Sequence, residues 1–205
     1  GIQPGDYIRG YEPFQTINWI LGATYVLGPD NWFAADQIIL LFELGGTHIL
    51  DLPPLHELQI EAPGQFTHAS AGADGSGADG NLDGLANSGW VGPSGARFNP
   101  RQADPNHWTT ANSFGYDVIA ILRYESVFPG ISFEPVLLAK HDVSGISPGP
   151  GERFVQGRQQ YSINVEMGVK NALSFTAGYQ WFTGAKENNV LRDRDFAQLG
   201  ARYRF

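Results

Sequence analysis

The residues best equipped for chemistry stand close together between positions 141 and 149. "GISPG" (145–149) fits G-x-S-x-G, the nucleophile-elbow pattern, with Ser147 at its centre. His141 and Asp142 precede it, and their types suit a general base and its orienting carboxylate. An elbow works only where a strand turns into a helix and holds the serine in strain. Here Ser147 lies in a Pro/Gly loop between two strand patterns, and alternation sends His141 and Asp142 to opposite faces. The stretch "ADGSGADGNLDG" (73–84) places Asp74, Asp79 and Asp83 on a glycine-rich backbone. Calcium, which takes six to eight oxygens, suits such a loop, although the spacing is not that of an EF-hand. Calcium in the 72–84 loop is the one cofactor the pattern admits. His48, His56, His68 and His107 are scattered without metal-ligand spacing, and cysteine is absent, so thiolate sites and disulfides are excluded. The chain is not expected to be an enzyme.

Charge narrows the partners. The formal net charge is -8, which argues against nucleic acid, because phosphate binding needs a basic surface. Residues 51–112 hold seven acids (Asp51, Glu57, Glu61, Asp74, Asp79, Asp83, Asp104) against Arg97 and Arg101. Such an acidic crown could bridge through divalent ions to lipopolysaccharide phosphates, or simply deter aggregation. The chain opens "GIQPGDYIRG", with neither an initiator Met nor a signal peptide, and reads as a mature product or a piece of something longer.

The elements that must position these groups are strands. In "LSFTAGYQWF" Leu173, Phe175, Ala177, Tyr179 and Trp181 alternate with Ser174, Thr176, Gly178 and Gln180. Period two is a strand whose faces see different surroundings. The same alternation runs through "QQYSINVEMGVK", "ISFEPVLLAKHDV", "FGYDVIAILRYESVF" and the terminal "FAQLGARYRF". "TINWILGATYVL" and "QIILLFELGGTHIL" are apolar on nearly both faces, with Asn18, Thr24, Glu43 and Thr47 keeping one face mixed. Seven antiparallel strands of about ten to fifteen residues follow, against a usual five to six in soluble sheets. No run of eighteen apolar residues exists, so a transmembrane helix is excluded, whereas nine to eleven tilted strand residues cross a bilayer.

Connectors alternate between short turns (127–131, 169–172), with a modest one at 28–36, and longer loops (52–112, 144–157, 184–192). Outer-membrane barrels have short periplasmic turns and long extracellular loops. On that assignment the apolar-face aromatics form two belts. Trp19, Phe114, Tyr116, Tyr161, Tyr179 and Trp181 lie toward the outer rim. Tyr25, Tyr124, Phe128, Phe133, Phe175, Tyr203 and Phe205 lie toward the inner rim. The expected fold is all-β, an antiparallel transmembrane β-barrel over residues 1–205, with a long extracellular loop at 52–112. Its lumen face carries Glu43, Asp117, Arg123, Glu125, Glu134, Lys140, Asp142, Glu166, Arg202 and Arg204. Both signs are present, as in a structural ion-pair network; the alternative is a selectivity lining. Leu55, Leu58, Ile60 and Phe66, apolar in a loop, are candidates for loop packing or partner contact.

Seven antiparallel strands cannot close, because the first and last would run parallel. Either "DYIRGYEP" (6–13) adds an eighth, or more strands precede these. "DYIRGYEPFQ", "THASAGADGSGADG", "RFNP", "RYESVFPGIS", "HDVSGISPGP" and "LRDRDFAQ" together resemble the C-terminal region of a proteobacterial outer-membrane family, domain of unknown function 1302. The resemblance implies a larger barrel in the bacterial outer membrane, and an envelope partner protein and an RND-type permease as associates. It also implies transport of hydrophobic molecules or lipids. Tyr203 and Phe205, ending an alternating strand, resemble the signal read by the barrel assembly machinery. A general or substrate-selective porin is the alternative function, and an envelope hydrolase the third.

Overall fold

The computed structural model describes residues 11–55, 57, 58, 60, 62, 108–148, 153–170 and 172–205. Seven strands run in chain order: β1 (Thr16–Leu27), β2 (Gln37–Ile49), β3 (Asn112–Phe128), β4 (Ile131–Ser144), β5 (Gln159–Val169), β6 (Leu173–Thr183) and β7 (Phe196–Tyr203). They form one antiparallel meander in which each strand pairs with its sequence neighbours. The described strands make an open sheet rather than a closed barrel, and β1 and β7 are its edges. Both edge strands are exposed along nearly their whole length. A short 3-10 turn (Lys186–Asn188) lies in the last connector. Of the segment proposed as an eighth strand, 6–10 lie outside the described residues, and 11–13 have no strand pairing.

The register holds the two faces apart. One unbroken row of partners runs Tyr25, Leu40, Ala120, Leu137, Ile163, Tyr179 and Ala197 across all seven strands. Three residues along, a row on the other face runs Gly22, Glu43, Asp117, Lys140, Gln160 and Phe182. A slip of one residue would exchange the faces, so tight turns matter. Pro129 and Gly130 turn β3 into β4, and Gly130 takes the left-handed φ of 78° that glycine adopts without a side-chain clash. Near the opposite end the β3–β4 ladder shifts between Phe114 and Gly115. A Cβ at Gly115 would sit 2.6 Å from the His141 carbonyl oxygen, so the close approach of β4 requires glycine there.

Neither sheet face carries a packed core. The fully buried apolar side chains are mostly in the connectors or next to them: Ile49, Ala62, Trp108, Ile146 and Val155, with Ala35 and Ile38 at the start of β2. The apolar face is uncovered. Trp19, Leu21, Tyr25, Phe42, Leu137, Ile163, Phe175, Tyr179 and Tyr203 are all exposed, and Leu199 reaches 88%. Its rings meet one another, with Phe42 stacked on Tyr116, Tyr161 on Trp181, and Tyr179 on Trp181.

Candidate functional site

The polar face is the surface with chemistry to offer, and alternation alone puts its residues there. Glu43, Asp117 and Lys140 share one row, and Lys140 Nζ lies 3.8 Å from Asp117 Oδ1. Toward the short-turn end, Arg123 Nε donates to Glu134 Oε2 at 2.8 Å while its Nη1 donates to Gln37 Oε1 at 3.0 Å. These pairs are well exposed, and such pairs contribute about 0–1 kcal/mol each. Their role is to satisfy charge on the face. Glu166, Arg202 and Arg204 line a shallow depression of about 140 Å³ with Ser174 and Gly168. Glu125 stands at the same end, exposed, its backbone N–H donating to Asp36 Oδ2.

Between the two charged sets lies a band that alternation did not foretell. One row runs Ile39, Ile121 and Val136; the next runs Leu41, Ile119 and Leu138. All six side chains are part-buried on the polar face. The signal was in the sequence as continuous apolar runs, "VIAIL" and "PVLLA", which alternation cannot assign to one face. On β5–β7 the same face is hydrophilic, with Ser162, Asn164, Thr176, Gln180 and Gln198, and Gln198 Nε2 donates to Asn164 Oδ1 at 2.6 Å.

A strap crosses this face at the end opposite the β3–β4 turn. It is the β4–β5 connector, described at 145–148 and 153–158. Gly145 begins it at φ 76°, and a Cβ there would overlap the Asn112 carbonyl. Asp142, 1% exposed, accepts from Arg158 Nε at 2.7 Å and from the Val155 N–H at 3.0 Å. Ile146 and Val155 form an antiparallel bridge, and the Ser147 N–H donates to the Phe154 carbonyl. Thr110 ties the strap to the foot of β3 through Ile146, and the Thr109 N–H donates to Ile60. Arg153 reaches over the sheet to donate to Asn18 Oδ1 at 2.8 Å, which also accepts from Thr47. A cavity of about 430 Å³ remains between strap and sheet, lined by Asn18, Glu43, Asp117, Lys140, Arg153 and Phe154 among others.

Ser147 is buried, and its hydroxyl exchanges hydrogen bonds with the backbone of Phe154, so it is a strap residue without nucleophile geometry. His141 packs edge-on against Tyr116 on the apolar face, opposite Asp142, as alternation required. Asp142 itself is buried as the strap's anchor at the edge of that cavity. Leu55 is exposed, Leu58 and Ile60 are part-buried, and Phe66 lies outside the described residues. Asp74, Asp79 and Asp83 also lie outside them, as do His56, His68 and His107. Among the described residues no group of His, Asp or Glu is arranged to hold a metal. His48 pairs with Asn112 at 2.7 Å. Pairing extends past β7, where the Arg204 N–H donates to Ala172, and the Tyr203 and Phe205 rings meet edge to face.

An open antiparallel meander with one uncovered apolar face and one mixed polar face defines an all-β protein. Residues 1–205, the whole chain, match the family described as "Protein of unknown function (DUF1302)", and the chain belongs to that family. No curated protein and no solved structure matches it.

Proposed function

We propose that these strands are part of a transmembrane β-barrel in the bacterial outer membrane that conducts hydrophobic or amphiphilic molecules. The membrane reading is carried by the slant of the aromatic belts. Tyr25 of the inner belt and Tyr179 of the outer belt lie on the same row of partners. The belts can each be level only if the strands tilt. From Trp19 to Tyr25 is six residues, about 20 Å at about 3.3 Å per residue, while β1 and β6 are five steps of about 4.8 Å apart, about 24 Å. The outer belt is then level at a tilt of about 40°. The inner belt, from Tyr25 on β1 to Tyr203, six residues beyond Ala197 on β7, is level at about 35°. Membrane barrels tilt by about 35–45°. Two independent belts agree.

Because β1 and β7 run in the same direction, antiparallel closure requires an odd number of further strands between them. Transport of apolar cargo is supported by the band of Ile39, Leu41, Ile119, Ile121, Val136 and Leu138, which offers an apolar path on the lumen face between charged rows. The hydrophilic half on β5–β7 favours the second reading, a porin. Planar-bilayer recording on the full-length protein separates them. A hydrophobic conduit should conduct little, and deleting 52–112 should open it. A large steady conductance, altered by charge reversal at Arg202 or Arg204, would replace it with the porin. An envelope partner protein and a permease enter this proposal through family resemblance alone.

A further inference from the structure

We infer that the β1–β2 turn is a membrane anchor, with Trp32 and Phe33 seated at the headgroup–acyl boundary of the leaflet on the short-turn side. This inference rests on the barrel reading above. Trp32 is 101% exposed and Phe33 64%, which places two adjacent aromatic side chains in the open on one short connector. Side-chain hydrogen bonds define the shape of the turn that presents them. The Asn31 side chain donates to the carbonyls of Gly28 and Ala35 at 2.8 and 2.7 Å and accepts from the N–H groups of Phe33 and Ala35. Ala34 takes a left-handed φ of 51°, which turns the chain back toward β2.

The occupant follows from which way the turn leans. The Tyr124 hydroxyl donates to the Phe33 carbonyl oxygen at 3.1 Å, and Tyr124 stands on the apolar face opposite Phe133. The turn is therefore drawn over the apolar side of the sheet, beside the inner aromatic belt. The polar face at this level is closed by the Arg123–Glu134–Gln37 set. Aromatic side chains favour the membrane–water interface, and an indole beside a belt tyrosine continues that belt below the strand ends. Residues 28–36 contain two acids, Asp30 and Asp36, and no base, so the attraction is to the apolar boundary of phospholipid and not to anionic headgroups.

The test uses the full-length protein refolded into phosphatidylcholine vesicles, with a polarity-sensitive label at a sole cysteine introduced by Trp32→Cys or, separately, Phe33→Cys. Two reference labels accompany it, Ile163→Cys on the apolar face and Asp193→Cys in an exposed connector. Labels at 32 and 33 should be quenched by lipids carrying a nitroxide near the headgroup and be several-fold less accessible to aqueous iodide than the label at 193. If the label at 163 is quenched by lipid while those at 32 and 33 answer only to iodide, the anchor is refuted and the turn is an aqueous surface for a protein partner. If the label at 163 also escapes lipid quenching, it is the barrel reading that has failed.

Discussion

The facing of β5 is the most direct point at which to test the register, because Val165 and Asn164 are neighbours with opposite surroundings. Val165 pairs with Pro135 and Ala177 on the apolar face, and Asn164 pairs with Val136 and Gly178 on the polar one. On β5, the row of Tyr161 and the row of Met167, which pairs with Phe175, bracket the apolar belt. Val165 is within one residue of their midpoint, so in the proposed barrel Val165→Arg would place a charge near the bilayer midplane, at a cost of about 2–4 kcal/mol. Asn164→Arg loses one hydrogen bond, that from Gln198 at 2.6 Å, worth about 0.5–1.5 kcal/mol, and keeps its charge on the hydrophilic half of the face. The expected gap is about 0.5–3.5 kcal/mol, or roughly 2- to 300-fold in the folding equilibrium. Urea titration of each variant refolded in lipid vesicles, read by tryptophan fluorescence and heat-modifiable gel migration, measures it. A larger loss for Asn164→Arg would show that the faces are assigned the wrong way round, and equal destabilisation would refute the contrast between them.

Three further outcomes are expected. Deleting Phe205, or Phe205→Asp, should lower outer-membrane yield and leave protease-sensitive material, because the terminal strand pairs beyond Tyr203 and ends on an exposed ring; an unchanged yield of heat-modifiable protein would refute the assembly role. Arg158→Met leaves Asp142 buried without its charge partner, a change that typically costs about 3–5 kcal/mol. The strap should release as a unit, giving faster amide exchange at Val155 and Ser147 with β5 and β6 unchanged, and exchange unchanged at Val155 would refute the anchor. Gly115→Val should weaken β3–β4 pairing at the outer end through the clash with the His141 carbonyl, seen as faster exchange near Asp142, while Gly28→Ala, where a Cβ meets nothing within 4 Å, should be neutral.

Alternation is a local property, so the strands were legible in the sequence. Period two in "LSFTAGYQWF" and "QQYSINVEMGV" fixes which residues share a face wherever the strand is paired, and short turns then pin the register. The seven strands, the order of long and short connectors, and the opposite facing of His141 and Asp142 follow from that alone. Tertiary structure decided what depends on residues distant in the chain. Continuous apolar runs in β3 and β4 have no period to read, and only cross-strand pairing shows Ile119, Ile121, Val136 and Leu138 joining Ile39 and Leu41 in one band. Arg123 finds Gln37 across 86 positions, and Arg153 finds Asn18 across 135. Sequence pattern offers the apolar opening of the 52–112 connector for loop packing or partner contact. The strap described on the polar face belongs to the Pro/Gly-rich β4–β5 connector, because Asp142 and Arg158 stand at its two feet and Gly145 lets the backbone approach closely. Loop docking is a contest among long-range contacts, which no local period records.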